Sequence, residues 1–205
     1  ENGILQGYFD LIGMPYSTSD VLVEALTFNK YALNNYLRPL AGSDFHIADS
    51  VLVRRGGERP TADSVARRIG YPCFVKPNAG GSSFGVSKVK SADELADALD
   101  KALMESHEAM IEHLLSGTEI TCGCYRRDDE LVVFPITEVV TSEEFFDYDA
   151  KYNGKVSEIT PARIAPETAD RVKRVTASIY EHLDCYGIIR IDYILGRGLP
   201  ESAVV

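Results

Sequence analysis

Apolar side chains recur at helical spacing in some stretches of this chain and alternate with polar ones in others. "GILQGYFDLIGMPY" puts Leu5, Tyr8 and Leu11 or Ile12 on one stripe, stops at Gly13 and meets Pro15, which predicts a helix leading into an extended segment. A second helix is predicted from Ser19 or Asp20 through "VLVEALTFNKYALNNYL", with Leu22, Leu26, Leu33 and Leu37 on its apolar side and Lys30 in its middle. "TADSVARRIGYP" reads as a short helix capped by Thr61, closed by Gly70 and stopped by Pro72. In "SADELADALDKALMES", Ser91 and Glu94 read as a capping box, and Leu95, Ala98, Leu99, Ala102 and Leu103 make the apolar stripe. The last helical pattern, "PETADRVKRVTASIYEHLD", turns Ala169, Val172, Val175, Ile179 and Leu183 inward.

Strand patterns fill much of the remainder. "SVLVRR" is one, followed by a loop at "RGGERP". "CFVKPNAGGSSFGVSKVK" holds two more, interrupted by glycines and serines, and "AMIEHLLSGTEITCGCYRR" is strand, loop at Ser116 and Gly117, and strand. "DDE" then turns the chain into "LVVFPITEVV", read as one strand. In "IIRIDYIL", alternation sets Ile189, Ile191, Tyr193 and Leu195 on one face and Arg190 with Asp192 on the other. Residues 141–161 are polar and aromatic, a long connection of the kind usually kept for function. Hairpins that interrupt the strand and helix alternation argue for two α+β layers over one doubly wound parallel sheet, with a boundary near Ser116. No internal repeat is visible.

Composition narrows the function classes. At 205 residues, 45% hydrophobic and 25% charged, the chain has the make-up of an ordinary globular protein with buried cores. A formal net charge of -10 argues against a general nucleic-acid or membrane-surface binder, so an anionic ligand would need locally gathered lysines. No apolar run is long enough to span a bilayer and "ENGILQGYFD" lacks signal-peptide order, which makes the cytoplasm the expected location. Cys73, Cys122, Cys124 and Cys185 lie in apolar segments without a C-x-x-C pair, so buried reduced thiols are expected rather than a zinc site.

The glycine and serine run needs a reason, because ordering glycine costs more conformational freedom than ordering any other residue. It matches neither Gly-x-Gly-x-x-Gly nor the Lys-Ser/Thr ending of a phosphate loop. Lys76 stands at the end of the strand before it, where a lysine is either solvated or reaches over the loop. If Lys30, Lys76 and Lys151 converge, they supply positive charge to a polyphosphate. Arg190 and Asp192 are either an ion pair that fixes the sheet or an Asp on Mg²⁺ beside an Arg aimed at a phosphoryl group. Glu112 and Glu119 flank the boundary, where a cleft could hold a nucleoside's amine and ribose hydroxyls.

Taken in order, "NGILQGYFDLIGMPYSTS", "FVKPNAGGSSFGVSKV", "MIEHLLSGTEIT", "FFDYDAKY" and "GIIRIDYIL" resemble the D-alanine:D-alanine ligases of the ATP-grasp superfamily. The likeness runs from the first residues to about Leu195, and the aromatic Lys-Tyr loop at Phe146 to Tyr152 is its most specific part. The resemblance implies an α+β ATP-grasp fold in which residues 1–18 are the tail of a preceding domain. Residues 19–115 would be the central subdomain with its glycine-rich lid, and 116–205 an incomplete C-terminal subdomain.

It also implies ATP and Mg²⁺, with Mn²⁺ as a substitute, and a ligase that joins two D-alanines through an acyl phosphate for peptidoglycan precursor synthesis. Lys30, Lys76 and Lys151 match the family's phosphate-contacting lysines, and Glu112 with the main chain at His113 and Leu115 matches its adenine hinge. Glu119 matches the ribose ligand, and Ser82, beside Ser83 in the loop, is the serine that meets Tyr152 when the site closes. Arg190 matches the arginine near the transferred phosphoryl group, and Asp192 a magnesium ligand. His113 replaces a common lysine, and "GRGLPESAVV" stands where the family carries a Glu-x-Asn pair, so Glu201 is given no role. The polypeptide by itself is expected to be inactive and its intact parent, a homodimer by resemblance, active. Alternatives are another ATP-grasp carboxylate-amine ligase, a D-alanine:D-lactate ligase, or an inactive nucleotide-binding domain.

Overall fold

Helix α1 (Ile4–Ile12) forms where the spacing predicts it and ends at Gly13, whose φ of 67° is left-handed. Its apolar stripe faces solvent: Ile4, Leu5, Tyr8, Leu11 and Ile12 are exposed, and the buried residue is Gln6, whose Nε2 donates to Thr18 Oγ1 at 2.9 Å. The computed structural model describes residues 2–42, 44–141, 156–196 and 202–204.

The single helix expected next is two, α2 (Val21–Phe28) and α3 (Lys30–Leu37). Asn29 divides them, because its backbone is extended and its Oδ1 accepts from Ala32 N at 2.9 Å, making it the N-cap of α3. Asp20 caps α2 in the same manner through Val23 N. Leu22, assigned to the apolar side, is exposed and Val23 takes the buried place, while Leu26, Leu33 and Leu37 pack inward. The break moves Lys30 from mid-helix to a helix N-terminus.

The chain then forms β1 (Phe45–Ile47), crosses at Ala48 and Asp49, and starts a second sheet with β2 (Ser50–Arg54). Helix α4 (Ala62–Arg68) is capped by Thr61, whose Oγ1 accepts from Ser64 N at 3.2 Å. Strands β3 (Cys73–Pro77) and β4 (Ser87–Val89) flank the glycine loop, and helix α5 (Leu95–Glu105) leads into β5 (Glu108–His113). The capping box expected ahead of α5 does not form. Residues 92–94 wind as a 3-10 turn without a side-chain cap from Ser91, and Glu94 instead accepts from Lys90 N at 2.7 Å. The small sheet is antiparallel, in the order β2-β5-β3-β4. Val53, Val65, Val75, Leu99, Ala102 and Ile111 close the core between it and the two helices. Strand alternation therefore puts Phe74, Lys76, Met110 and Glu112 on the opposite face.

The remaining strands are β6 (Gly117–Arg127), β7 (Glu130–Val133), β8 (Thr137–Thr141), β9 (Val156–Ile159), β10 (Ile188–Gly196) and β11 (Ser202–Val204). They join β1 in a sheet of order β1-β11-β10-β6-β8-β9, with β7 also paired to β6. The strand read through "LVVFPITEVV" is thus two strands. Pro135 lies in the gap and has no N–H for the ladder. Helix α6 (Pro166–His182) covers one face with Val172, Val175 and Ile179 as expected, together with Thr176 and Tyr180, which the apolar stripe did not include. Both hydroxyls are satisfied: Thr176 Oγ1 lies 2.7 Å from Tyr193 OH, and Tyr180 OH donates to Gly187 O at 3.0 Å. Val23, Leu37, Phe45 and Ile47 belong to this same core.

All four cysteines are free and buried, as their apolar settings implied. Burial pushes the thiols of Cys73, Cys124 and Cys185 up to about 11, 12 and 11. Among the described residues no helix is long and apolar enough to cross a membrane.

Candidate nucleotide site

The polar face of the small sheet gathers charge. Lys76, next to the end of β3, sets its Nζ 2.5 Å from Glu112 Oε2 on β5, and the two side chains are only 13% and 6% exposed. Asn34, on α3, donates from Nδ2 to the other carboxylate oxygen, Oε1, at 3.0 Å. Lys30 donates from Nζ to Gly80 O at 2.8 Å, which brings the start of α3 onto the glycine loop. Burial, and then repulsion from Lys76, lower the Lys30 ammonium to about 8, against the opposing pull of Glu112. The sequence placed Lys30, Lys76 and Glu112 on separate elements; the fold brings these three together.

A side-chain network fastens the foot of that loop. Asn78 Oδ1 accepts from Tyr31 N at 2.8 Å, and its Nδ2 donates to Asn29 Oδ1 at 2.9 Å and to Glu108 Oε2 at 2.7 Å. Its backbone bonds Lys30 N and Glu108 O as well. None of Asn29, Asn34, Asn78 or Glu108 was selected from sequence. The available signal was the i,i+4 spacing of Lys30 and Asn34 on a helix face.

Within the loop, Ser82 and Ser83 hold left-handed φ values of 53° and 59°. Gly85 has φ 70°, and a Cβ there would sit 2.8 Å from both Glu105 Cγ and Pro77 Cγ, so both the backbone and the close approach to α5 call for glycine. The loop is thus held at both ends, by Lys30 on Gly80 and by the packing at Gly85.

A second group of candidates lies on the large sheet. Asp192 pairs in register with Thr121 of β6, and Ile194 with Glu119. Alternation therefore gives Glu119, Thr121, Arg190 and Asp192 one face, opposite Ile120, Cys122 and the buried Tyr193. Arg190 grips Asp192 through Nε at 3.0 Å and Nη2 at 3.3 Å, with the side chains 66% and 40% exposed. This is the ion pair that the sequence allowed as one reading. At such exposure it contributes little to stability and costs little to open for a ligand. Among the described residues Thr121 Oγ1, buried there, has no hydrogen-bond partner.

The side chain of His113 turns away from Glu112, as neighbours in a strand must, and its Nδ1 lies 2.7 Å from Ile69 O. Leu115 is partly exposed on the link between the sheets. Lys151 and Tyr152 lie outside the described residues.

Residues 42–199 match the family described as "D-ala D-ala ligase C-terminus". The chain belongs to this family. It is 58% identical over 198 residues to a D-alanine--D-alanine ligase of Phocaeicola vulgatus, covering 97% of this chain and 60% of that protein. Against the corresponding ligase of Bacteroides fragilis the identity is 52%, with the same coverage. Among solved structures, the VanG D-Ala:D-Ser ligase from Enterococcus faecalis superposes with a TM-score of 0.85 at 34% identity, over all of this chain and 58% of that one. The α+β fold expected from the strand and helix order is therefore that of the ATP-grasp ligases, and the chain spans about 60% of the length of the relatives it matches.

Among the described residues no group of three or more His, Cys, Asp or Glu side chains could hold a metal by itself. Asp192 offers one carboxylate, which fits a magnesium ion held by one or two carboxylates and substrate phosphates better than a protein-only cage.

Proposed function

We propose that the intact parent protein is an ATP-dependent ligase that joins two D-alanines in the making of a peptidoglycan precursor, in the cytoplasm. The observation that carries this reading is the convergence of Lys30, Lys76 and Glu112 at the foot of the glycine loop in a member of this ligase family.

In this reading Lys30 and Lys76, with Lys151, neutralise the ATP phosphates. Glu112 and the main chain at His113 and Leu115 hold the adenine, and Glu119 holds the ribose. Ser82 and Ser83 carry the loop that closes toward Tyr152. One D-alanine carboxylate oxygen bonds to the terminal phosphorus as the bond to ADP breaks. The neutral amine of the second D-alanine then attacks the acyl carbon, the carbon–oxygen bond to phosphate breaks, and the departing phosphate takes the surplus amine proton. Arg190 turns from Asp192 toward the charge that develops on the transferred phosphoryl group, while Asp192 would hold magnesium, which supplies further neutralisation. Closing the loop excludes water, which would otherwise hydrolyse the acyl phosphate.

Phosphate release from ATP and Mg²⁺ by the full-length protein, measured with and without D-alanine, tests the reading. Release that requires D-alanine is expected; release indifferent to it, or none, refutes the proposal. The likeness to a D-Ala:D-Ser ligase favours one second reading, in which D-serine replaces the second D-alanine. Dipeptide analysis with each amino acid decides between them.

The low Lys30 value gives a pH signature. For ATP, kcat/KM should fall as pH rises through about 8, where the free enzyme loses this ammonium. A Lys30→Arg variant, charged throughout, should lose that limb. The ligand-free protein should behave in the opposite sense. Between about 8 and 10.5 the unfolded chain binds the proton that the folded one has released, so the Lys30 contribution to stability rises with pH. A kcat/KM profile flat across this range contradicts the assignment.

A further inference from the structure

We propose that Asn34 is a positioning residue for the nucleotide base, acting through Glu112; the inference rests on the reading above, in which Glu112 lines the base site. Asn34 is 5% exposed, so its carboxamide was not left on the surface by default. Its Nδ2 donates to Glu112 Oε1 at 3.0 Å and lies 3.9 Å from Met110 Sδ. Its neighbours on α3, Leu33 and Leu37, pack into the core of the large sheet, whereas Glu112 and Met110 belong to the small one. Asn34 therefore reaches from a helix packed on the large sheet to a carboxylate of the small one.

The chemistry of the carboxylate explains why a neutral donor suits this place. Glu112 already has its counter-charge in Lys76, on Oε2. A second cation would crowd Lys76 and the nearby Lys30, which already feel each other. An amide fixes the second oxygen without adding charge. A carboxylate has about four lone-pair positions, so with Asn34 and Lys76 in place the unused ones point in set directions. Without Asn34, the carboxylate can rotate to offer both oxygens to Lys76, and the lone pairs aimed at an amine on the base are lost. An adenine presents such an amine where a guanine presents a carbonyl, so a held carboxylate selects the adenine.

The test is direct titration of ATP and of GTP into the full-length protein, in the Asn34→Leu, Glu112→Gln and doubly substituted forms, alongside steady-state kinetics. Leucine keeps the bulk and removes the donor. Asn34→Leu is expected to weaken ATP about tenfold, the value of one hydrogen bond to a charged group, and to leave GTP within about twofold. KM for ATP should rise with kcat nearly unchanged. In the Glu112→Gln background the same change should cost less than about twofold, because the two residues act as one unit. Should the leucine form fail to fold, Asn34→Asp keeps the shape and sets an acceptor against Glu112, with a loss of ATP affinity at least as large. ATP affinity unchanged in a folded variant, an equal loss for ATP and GTP, or full additivity with Glu112→Gln overturns the inference. A protein that binds ATP but releases no phosphate in answer to D-alanine overturns the ligase reading and leaves Asn34 in place; one that binds no ATP overturns both.

Discussion

Lys76→Ala should lower the affinity of the intact protein for ATP by about a hundredfold, as loss of the strongest of its charge-assisted contacts would. It should also lower the melting temperature in the absence of any ligand. The second effect follows from Glu112, which would stay in place, almost free of solvent contact, with an amide on one oxygen and no cation on the other. Breaking a buried pair from one side costs about 3 kcal/mol or more, because the remaining charge is uncompensated. Combining Lys76→Ala with Glu112→Gln should therefore recover much of the stability and none of the ATP affinity. Lys88, beyond the loop on β4, is the control: Lys88→Ala should weaken ATP binding far less. Equal nucleotide affinity in the Lys76 and Lys88 variants would remove the reason for choosing Lys76.

Gly117→Ala should be nearly as damaging, for a reason unrelated to charge. A Cβ built on Gly117 would lie 1.9 Å from Leu195 O and 2.5 Å from Leu195 C, where β6 starts alongside β10. Backbone cannot rotate out of the way as a side chain can, so the end of β10 must move. Overpacking of this kind is expected to cost about 3 kcal/mol. For a chain of this size that is a fall of about 9 °C in the melting temperature. The displacement would also reach the Arg190 and Asp192 pair further along β10. Gly81→Ala is the matched comparison, since a Cβ there meets nothing within 4 Å and its backbone needs no left-handed φ. It should change stability by less than about 0.5 kcal/mol. Equal melting temperatures for the two variants would show that the close approach at Gly117 is relieved at no cost.

The site was legible in sequence to the extent that it depends on residue type. Lys76, Glu112, Arg190 and Asp192 could be chosen because each is a charged residue next to or within an otherwise apolar strand, and alternation correctly set Arg190 and Asp192 on the same side. Asn34 and Asn78 could not, since an asparagine reveals nothing of its partner until the chain has folded. Leu22 shows the limit of periodicity: the break at Asn29 divided the predicted helix, and Val23 rather than Leu22 turned inward. Pro135 could have been read as the end of β7, because a residue without an N–H cannot continue a ladder. Tyr180 lies outside the predicted apolar stripe, although its hydroxyl finds Gly187 O and its ring is fully buried.

What the residues determined unaided was local: a helix start at Ser19 or Asp20, the cap at Thr61, the strand faces, the inward stripe of α6, and a family signature spread over nearly the whole chain. These depend on backbone geometry and on order along the chain, which a sequence contains directly. Tertiary structure decided that Lys30 reaches Gly80, that Lys76 and Asn34 divide the two oxygens of Glu112, and that Gly117 must lack a side chain. Each is a meeting of segments between 36 and 78 residues apart in the chain, set by the packing of helices and sheets and by no local preference.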